Sequence, residues 1–205
     1  MAYGDVAGGV PSREAAEQGR WIVFEDESGA ALTGVVRRTW GPMGATPVIA
    51  LNGARGTREN MVVFVAYRPG FGPRMYAWHK SAEGYTKKDF PMLLTMLHGR
   101  LGGLVTLIWD NYSSHTAGAV REWMAGQESW LKVAPLPPYA PELNPVELLW
   151  KIVKDALANR AFRSIGELAD AADAALARIK HAHHLLPGFL AGTGLRIAEI
   201  ASTRQ

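Results

Sequence analysis

The sequence predicts an α/β fold in which helices pack on the faces of a mixed β-sheet. Three observations carry that expectation. Apolar runs of strand type follow one another through the first half of the chain, each bounded by Gly or Pro. Leu104 to Trp109, LVTLIW, is a continuous apolar run, as expected of a strand buried on both faces. Beyond it, helical spacing alternates with one more short strand, WLKVAPL at 130–136. A mixed sheet accommodates the resulting order of strand, antiparallel strands, helix, buried strand, helix, strand, helix.

Residues 1–20 are rich in Gly and Ala and read as a tail or linker, with a helical turn or two near Ser12 to Gln18. Trp21 to Phe24 is a strand-type run that ends in three acids, Glu25, Asp26 and Glu27. Residues 30–45 are turn-rich and carry a basic-aromatic cluster, Arg37, Arg38, Thr39 and Trp40. The segments 46–53, 59–70 and 73–81 then read as two or three consecutive antiparallel strands. Over 86–100, Phe90, Leu93, Leu94 and Leu97 have helical spacing, with Thr86 as the expected cap and Pro91 tolerated in the first turns. The buried strand ends in Asp110, and a helix is expected from Thr116. Ser164 caps an Ala-rich amphipathic helix with Glu167 at the capping-box position, and a last helical stretch begins at Leu185. There is no internal repeat.

Residues 135–151, PLPPYAPELNPVELLWK, hold five of the twelve prolines: Pro135, Pro137, Pro138, Pro141 and Pro145. Proline continues neither a helix nor a central strand, so this stretch is a stiff ramp that fixes where the next element begins. That element is a helix over 145–159, with Asn144 as N-cap and Pro145 at its first position. Asn-x-x-Glu resembles a capping box, which gives Glu147 two readings. It is either a cap carboxylate or a metal-binding acid fixed at the first helical turn.

Composition narrows the class. A chain of 205 residues, 48% hydrophobic and 20% charged, is one globular domain or one domain with a small appendage. Cysteine is absent, which excludes disulfides, a thiolate nucleophile and a Cys-based zinc site, and fits a reducing cytoplasm. No apolar run approaches the roughly 20 residues that span a bilayer, and no signal-peptide segment opens the chain, so no membrane partner is expected. Net charge is only +3, yet residues 31–110 carry ten Lys or Arg against four acids. That basic middle is either the footprint of a polyanionic partner or a solvated face.

Asp26, Asp110 and Glu147 stand at element termini, 84 and 37 residues apart. If the strands that carry the two aspartates are adjacent and parallel, their carboxylates project at one sheet edge, where sites gather in such folds. A carboxylate cluster is costly unless a cation neutralises it, and oxygen-only ligands point to Mg²⁺ or Mn²⁺ rather than zinc. Paired ions of that kind activate water and stabilise the leaving oxygen of a phosphodiester. A glycosidase using paired carboxylates is the metal-free alternative.

FEDESG (24–29), LIWDNYSSH (107–115) and PPYAPELNPVELLWK (137–151), in this order, resemble the catalytic domain of DDE transposases of the mariner superfamily, in its bacterial insertion-sequence branch. RRTWGPMGATP (37–47) resembles the family's segment after the first acid, and the likeness spans about residues 21–160. The resemblance implies a ribonuclease H-like mixed five-stranded sheet flanked by helices over 21–160, with 161–205 as a C-terminal helical extension. It implies Asp26, Asp110 and Glu147 as catalytic, metal-binding residues for two Mg²⁺ or Mn²⁺ ions, with Asp110 bridging both. Asp26 is favoured over its neighbours Glu25 and Glu27 by the DES string. Asn111 and His115 match motif positions, beside the metals or a DNA phosphate on one reading, and in a turn and a helix start on the other. Arg37, Arg38, Lys87 and Lys88 are candidate DNA-phosphate contacts or solvated charges. Leu148, Leu149 and Trp150 are expected in the core, and His181, His183 and His184 are read as a surface run.

The activity implied is metal-dependent nicking at transposon ends in double-stranded DNA, followed by strand transfer to a TA target, by a dimer on DNA. Family members carry helix-turn-helix domains ahead of the catalytic domain, and twenty residues before Trp21 hold none. The chain is therefore expected to act with a separate helix-turn-helix partner chain or to lack an N-terminal domain. Its expected location is the bacterial cytoplasm, on the nucleoid when bound. Rival readings are an inactive remnant that binds DNA or partner transposase, and a ribonuclease H-like nuclease without strand transfer.

Overall fold

The computed structural model describes residues 15–45, 47–50, 57–110 and 118–197. Five strands form one sheet: β1 (Trp21–Ala31), β2 (Arg58–Arg68), β3 (Phe71–Ser81), β4 (Val105–Trp109) and β5 (Leu131–Pro135). Their order across the sheet is β3-β2-β1-β4-β5. β1, β2 and β3 are antiparallel neighbours, whereas β4 and β5 run parallel to β1. This is the mixed α/β sheet expected, in its ribonuclease H-like arrangement. The helices are α1 (Phe90–Leu101), α2 (Gly118–Ala125), α3 (Pro145–Leu157), α4 (Ile165–His181) and α5 (Leu185–Gly192). No described helix is long and apolar enough to cross a membrane.

Strand alternation divides the core in two. Trp21, Val23, Val62, Phe64, Val105, Leu107 and Trp109 face α1 and α2. Ile22, Phe24, Met61, Val63, Val65 and Ile108 face α3, α4 and α5, so the helices after residue 160 share the core of the sheet. β4 is buried along its whole length, because β1 and β5 flank it and both faces are covered. At the opposite end from the acids, buried Arg20 donates to Thr106 Oγ1 (3.0 Å) and to the carbonyls of Val105 (2.6 Å) and Trp130 (3.0 Å). A guanidinium with three acceptors tolerates that burial, and it clamps β4 to the loop before β5.

Several elements differ from expectation. β1 does not stop at its acids but continues to Ala31, because β2 supplies a ladder partner from Ile22↔Tyr67 to Ala31↔Arg58. Residues 47–50 form no strand, since β2 already occupies the edge of β1 that they would need. The rest of that expected strand, residues 46 and 51–53, lies outside the described residues. Thr86 does not cap α1. It binds Asp89 instead, through its backbone N–H (2.6 Å) and its hydroxyl (2.8 Å), while Lys80 holds the same carboxylate at 3.0 Å. That closed turn delays the helix to Phe90. Ser164 does cap α4, accepting from Glu167 N at 3.2 Å, and Glu167 reaches back to Arg163 N at 2.7 Å. The helical turn expected near Ser12 to Gln18 is seen over 15–17.

Candidate active site

The parallel pair β1–β4 sets the two aspartates. Its partners run from Trp21↔Val105 to Phe24↔Ile108, always 84 residues apart. Asp26 and Asp110 have the same separation, so they stand level, two positions beyond the last paired residues. Side-chain alternation puts Asp26 on the face of Ile22 and Phe24, and Asp110 on the face of Ile108. Both therefore address α3. Glu25 and Glu27 have the other parity, and Glu25 is buried. Within DES, geometry sets Asp26 apart from its neighbours.

The third acid arrives by the proline ramp. Leu136 N–H donates to Trp109 O at 2.8 Å, and Leu136 is buried, so the ramp leaves the sheet beside β4. Tyr139 turns the chain with φ +59°, in the left-handed region that side chains disfavour, and its ring is fully exposed. A 3-10 turn over Pro141–Leu143 follows, and α3 starts at Pro145. Asn144 Oδ1 accepts from Val146 N (3.1 Å), as an N-cap should. Its own N–H donates to Pro141 O at 2.9 Å. The donor that a capping box would assign to Glu147 is thus already satisfied, and Glu147 is exposed on the first turn.

Two side chains attach α3 to β1. Asn144 Nδ2 donates to Glu25 O at 3.0 Å, and Trp150 Nε1 donates to Asp26 Oδ2 at 3.0 Å. Asp26 Oδ1 accepts from Glu27 N at 2.9 Å, so each oxygen of this carboxylate has a donor. Asp26, Asp110 and Glu147 line one cleft of about 430 Å³, together with Leu136–Pro141 and Asn144. A second cleft of about 490 Å³ shares Asp26 and Asp110 and extends past Glu27, Ser28, Gly29, Arg58, Asn60 and Tyr85. Burial pushes the Asp26 carboxyl up from 3.8 to about 7, and the charges of Glu147 and Asp110 add to the rise. The Glu27 N–H and the Trp150 indole oppose it without cancelling it.

The remaining sequence candidates stand elsewhere. Arg37 pairs with Asp155 at 3.0 Å and donates its backbone N–H to Asn159 Oδ1 at 3.0 Å. Arg38 lines a largely apolar pocket with Val36, Pro47 and Val48. Lys87 and Lys88 are exposed in the turn before α1, and none of the four basic residues lines either acidic cleft. Asn111 and His115 lie outside the described residues. Leu149 and Trp150 are core as expected, but Leu148 is 37% exposed, because the helix turns it toward α5 at the rim. Sequence reading missed Arg58 and Asn60 in the second cleft, and it missed the polar edge of Trp150.

Residues 21–169 match the DDE superfamily endonuclease family. The chain belongs to that family. Among solved structures, this chain is similar to the Mos1 mariner paired end complex with Mg (TM-score 0.65, 19% identity, covering 92% of this chain and 58% of that one). It is also similar to the Mos1 mariner paired end complex with Mn (TM-score 0.61, 21% identity, covering 94% and 62%). The catalytic domain of Mos1 mariner transposase is matched nearly end to end, with TM-score 0.52, 17% identity and coverage of 97% and 98%. At these identities the likeness establishes the fold. This chain spans about three fifths of the longer Mos1 chains, 58% and 62% of the two above. No curated protein sequence matches it.

Proposed function

We propose that this chain is the catalytic domain of a DNA transposase of the mariner superfamily, in its bacterial insertion-sequence branch. It nicks double-stranded DNA at transposon ends and joins the freed 3′-hydroxyl to target DNA at TA. One observation carries the reading: in a DDE endonuclease match, three acids remote in sequence, Asp26, Asp110 and Glu147, line one cleft beside the inner strands β1 and β4.

The donor set fits a hard divalent cation. All three acids offer oxygen only, and an aspartate raised to about 7 by burial and two neighbouring carboxylates is short of positive charge. Among the described residues, no three His, Cys, Asp or Glu side chains are gathered closely enough to chelate an ion as they stand. Asp26, Asp110 and Glu147 would hold the Mg²⁺ or Mn²⁺ ions, two in this proposal. When bound, the metal supplies an activated water and neutralises charge at the leaving oxygen.

The chain's own residues do the rest. The Glu27 N–H and the Trp150 indole hold the two oxygens of Asp26 in one orientation. The prolines fix the start of α3, and with it Glu147, relative to a sheet edge remote in sequence. Arg58 brings a guanidinium to a cleft otherwise lined by acids and neutral groups, where a phosphate of the bound strand is its natural partner. Tyr139 presents an exposed ring at the first cleft, suited to stacking on an unpaired base. Selection of transposon ends is assigned to a helix-turn-helix on a partner chain or a preceding domain, and assembly on DNA to a dimer.

The test is a nicking and joining assay with Mn²⁺ on a transposon-end duplex, comparing wild type with Asp110→Ala and with wild type in EDTA. Nicking and joined product are expected from the wild type alone. Equal nicking in all three arms would overturn the reading, and nicking without joined product would leave a plain nuclease.

A further inference from the structure

Trp150 has two features that seldom coincide. It is only 1% exposed, packed in the core between α3 and the sheet with Leu149 and Val153. Yet its one polar atom, Nε1, is spent on a carboxylate of the candidate active site, Asp26 Oδ2, at 3.0 Å. A buried indole N–H needs an acceptor, but nearby carbonyls commonly provide one. Here the acceptor is the acid that stands level with Asp110 across the β1–β4 pair.

Its position along α3 adds to this. Asn144, Glu147 and Trp150 are spaced by three, so they lie on adjacent turns of one helix face. Asn144 holds the Glu25 carbonyl and Trp150 holds the Asp26 side chain, two consecutive residues of β1. Glu147 sits midway between these two attachments. The helix that carries the third acid is thereby fastened to the strand that carries the first, above and below the point where Glu147 projects. An aspartate on a strand has several rotamers available. With Oδ1 on Glu27 N and Oδ2 on Trp150, Asp26 is confined to the one that faces the cleft.

We propose that Trp150 is a positioning residue for metal binding: its indole N–H locks the Asp26 carboxylate and gauges its separation from Glu147. The Glu-x-x-Trp spacing is then functional as well as structural, since one helical turn sets the reach from the third acid to the clamp on the first. This inference rests on the reading of Asp26, Asp110 and Glu147 as the metal site. Residues that orient metal ligands in this way are typically worth about 10–100-fold in metal affinity.

The experiment measures Mn²⁺ binding to the full chain, without DNA, by calorimetry and by the spin resonance of free Mn²⁺. Wild type is compared with Trp150→Phe, Trp150→Leu, Leu149→Ala and Asp110→Ala. Trp150→Phe keeps an aromatic ring in the core but removes the donor N–H together with the rest of the five-membered ring, so its packing loss is read against Leu149→Ala. Trp150→Leu repeats the loss of the donor with a different shape, so a folding failure in one variant leaves the other. Leu149→Ala damages the same helix and core without touching Asp26, and reports what loss of packing alone does. The expected result is Mn²⁺ affinity at least about tenfold weaker in both Trp150 variants and within about twofold of wild type in Leu149→Ala. In the nicking assay, the Mn²⁺ concentration for half-maximal rate should rise for Trp150→Phe, with KM for DNA unchanged. Wild-type affinity in the folded Trp150 variants, or an equal loss in Leu149→Ala, would overturn the positioning role. Equal binding by wild type and Asp110→Ala would instead overturn the metal-site reading beneath it.

Discussion

Asp26→Asn replaces a strongly perturbed carboxyl with a near-isostere, and its effect on stability should change sign with pH. The fold raises the Asp26 carboxyl from 3.8 to about 7, so the native protein keeps this proton over a range in which the unfolded chain has released it. The contribution of Asp26 to stability is then highest below pH 4 and falls as pH rises toward 7, where the ionisation cost is complete. Raising the carboxyl from 3.8 to about 7 corresponds, at 1.36 kcal/mol per pH unit, to about 4 kcal/mol. Asp26 is only partly buried, and solvent screening reduces this to about 2–3 kcal/mol. The asparagine escapes that cost at every pH. Its amide must still face two donors, Glu27 N and Trp150 Nε1, and one of its own N–H groups meets the indole, a loss of about 1 kcal/mol. Without metal, Asp26→Asn should therefore be more stable than wild type by about 1–2 kcal/mol at pH 8 and less stable by about 1 kcal/mol at pH 4. Urea denaturation in EDTA at pH 4, 6 and 8 measures the difference directly. Mn²⁺ at pH 8 should raise the transition midpoint of the wild type and leave the variant where it was. A stability difference independent of pH would refute the reasoning, because it would show that Asp26 titrates in the native protein as it does in the unfolded chain.

Three further outcomes follow from particular residues. Asn144→Ala removes both the cap on Val146 N and the donor to the buried Glu25 carbonyl, so it should lower unfolding free energy by about 2 kcal/mol in urea titrations. Arg58→Gln should raise KM for DNA and flatten its salt dependence by about one phosphate contact, with Mn²⁺ affinity unchanged. Gly29→Ala should copy part of that effect, since a Cβ at residue 29 would lie 2.6 Å from Arg58 Nη2 and displace the guanidinium.

Much of this was legible because backbone geometry writes regular signals. β4 announced itself by unbroken apolar character, and both covered faces explain why no polar residue interrupts Val105–Trp109 apart from Thr106, which answers Arg20. The 84-residue spacing of the aspartates was visible, but it took the ladder of β1 and β4 to show that it equals the pairing offset. Other features had no one-dimensional signal. The three acids looked like the end of β1 because the apolar run stopped, yet a strand paired along its other edge needs no apolar residues to continue. Thr86 looked like a cap, and only Asp89 and Lys80, brought together by the turn, outbid the helix for it. Arg58 is one cation among ten in the basic middle, and nothing local separates it from the other nine. Trp150 was read as core from its apolar bulk. Periodicity reports which face a residue occupies, never which atom of its ring meets what.

The ramp shows how the two readings of Glu147 come apart. A capping box needs two free donors, at the cap residue and three residues on. The prolines remove the first of these: Pro141 opens a 3-10 turn whose carbonyl takes the Asn144 N–H. The side chain of Asn144 then accepts from Val146 N through Oδ1 and donates to Glu25 O through Nδ2. One asparagine both caps the helix and ties it to β1, and Glu147 has no task left at its own backbone. An exposed acid on the first turn is favoured by the helix dipole wherever it points. Here it lines the cleft of two aspartates, one of which is raised to about 7 by burial first, then by the charge of Glu147 itself and, to a smaller extent, of Asp110. Helix-capping alone gives no reason for a third negative charge there, whereas the metal site proposed above does.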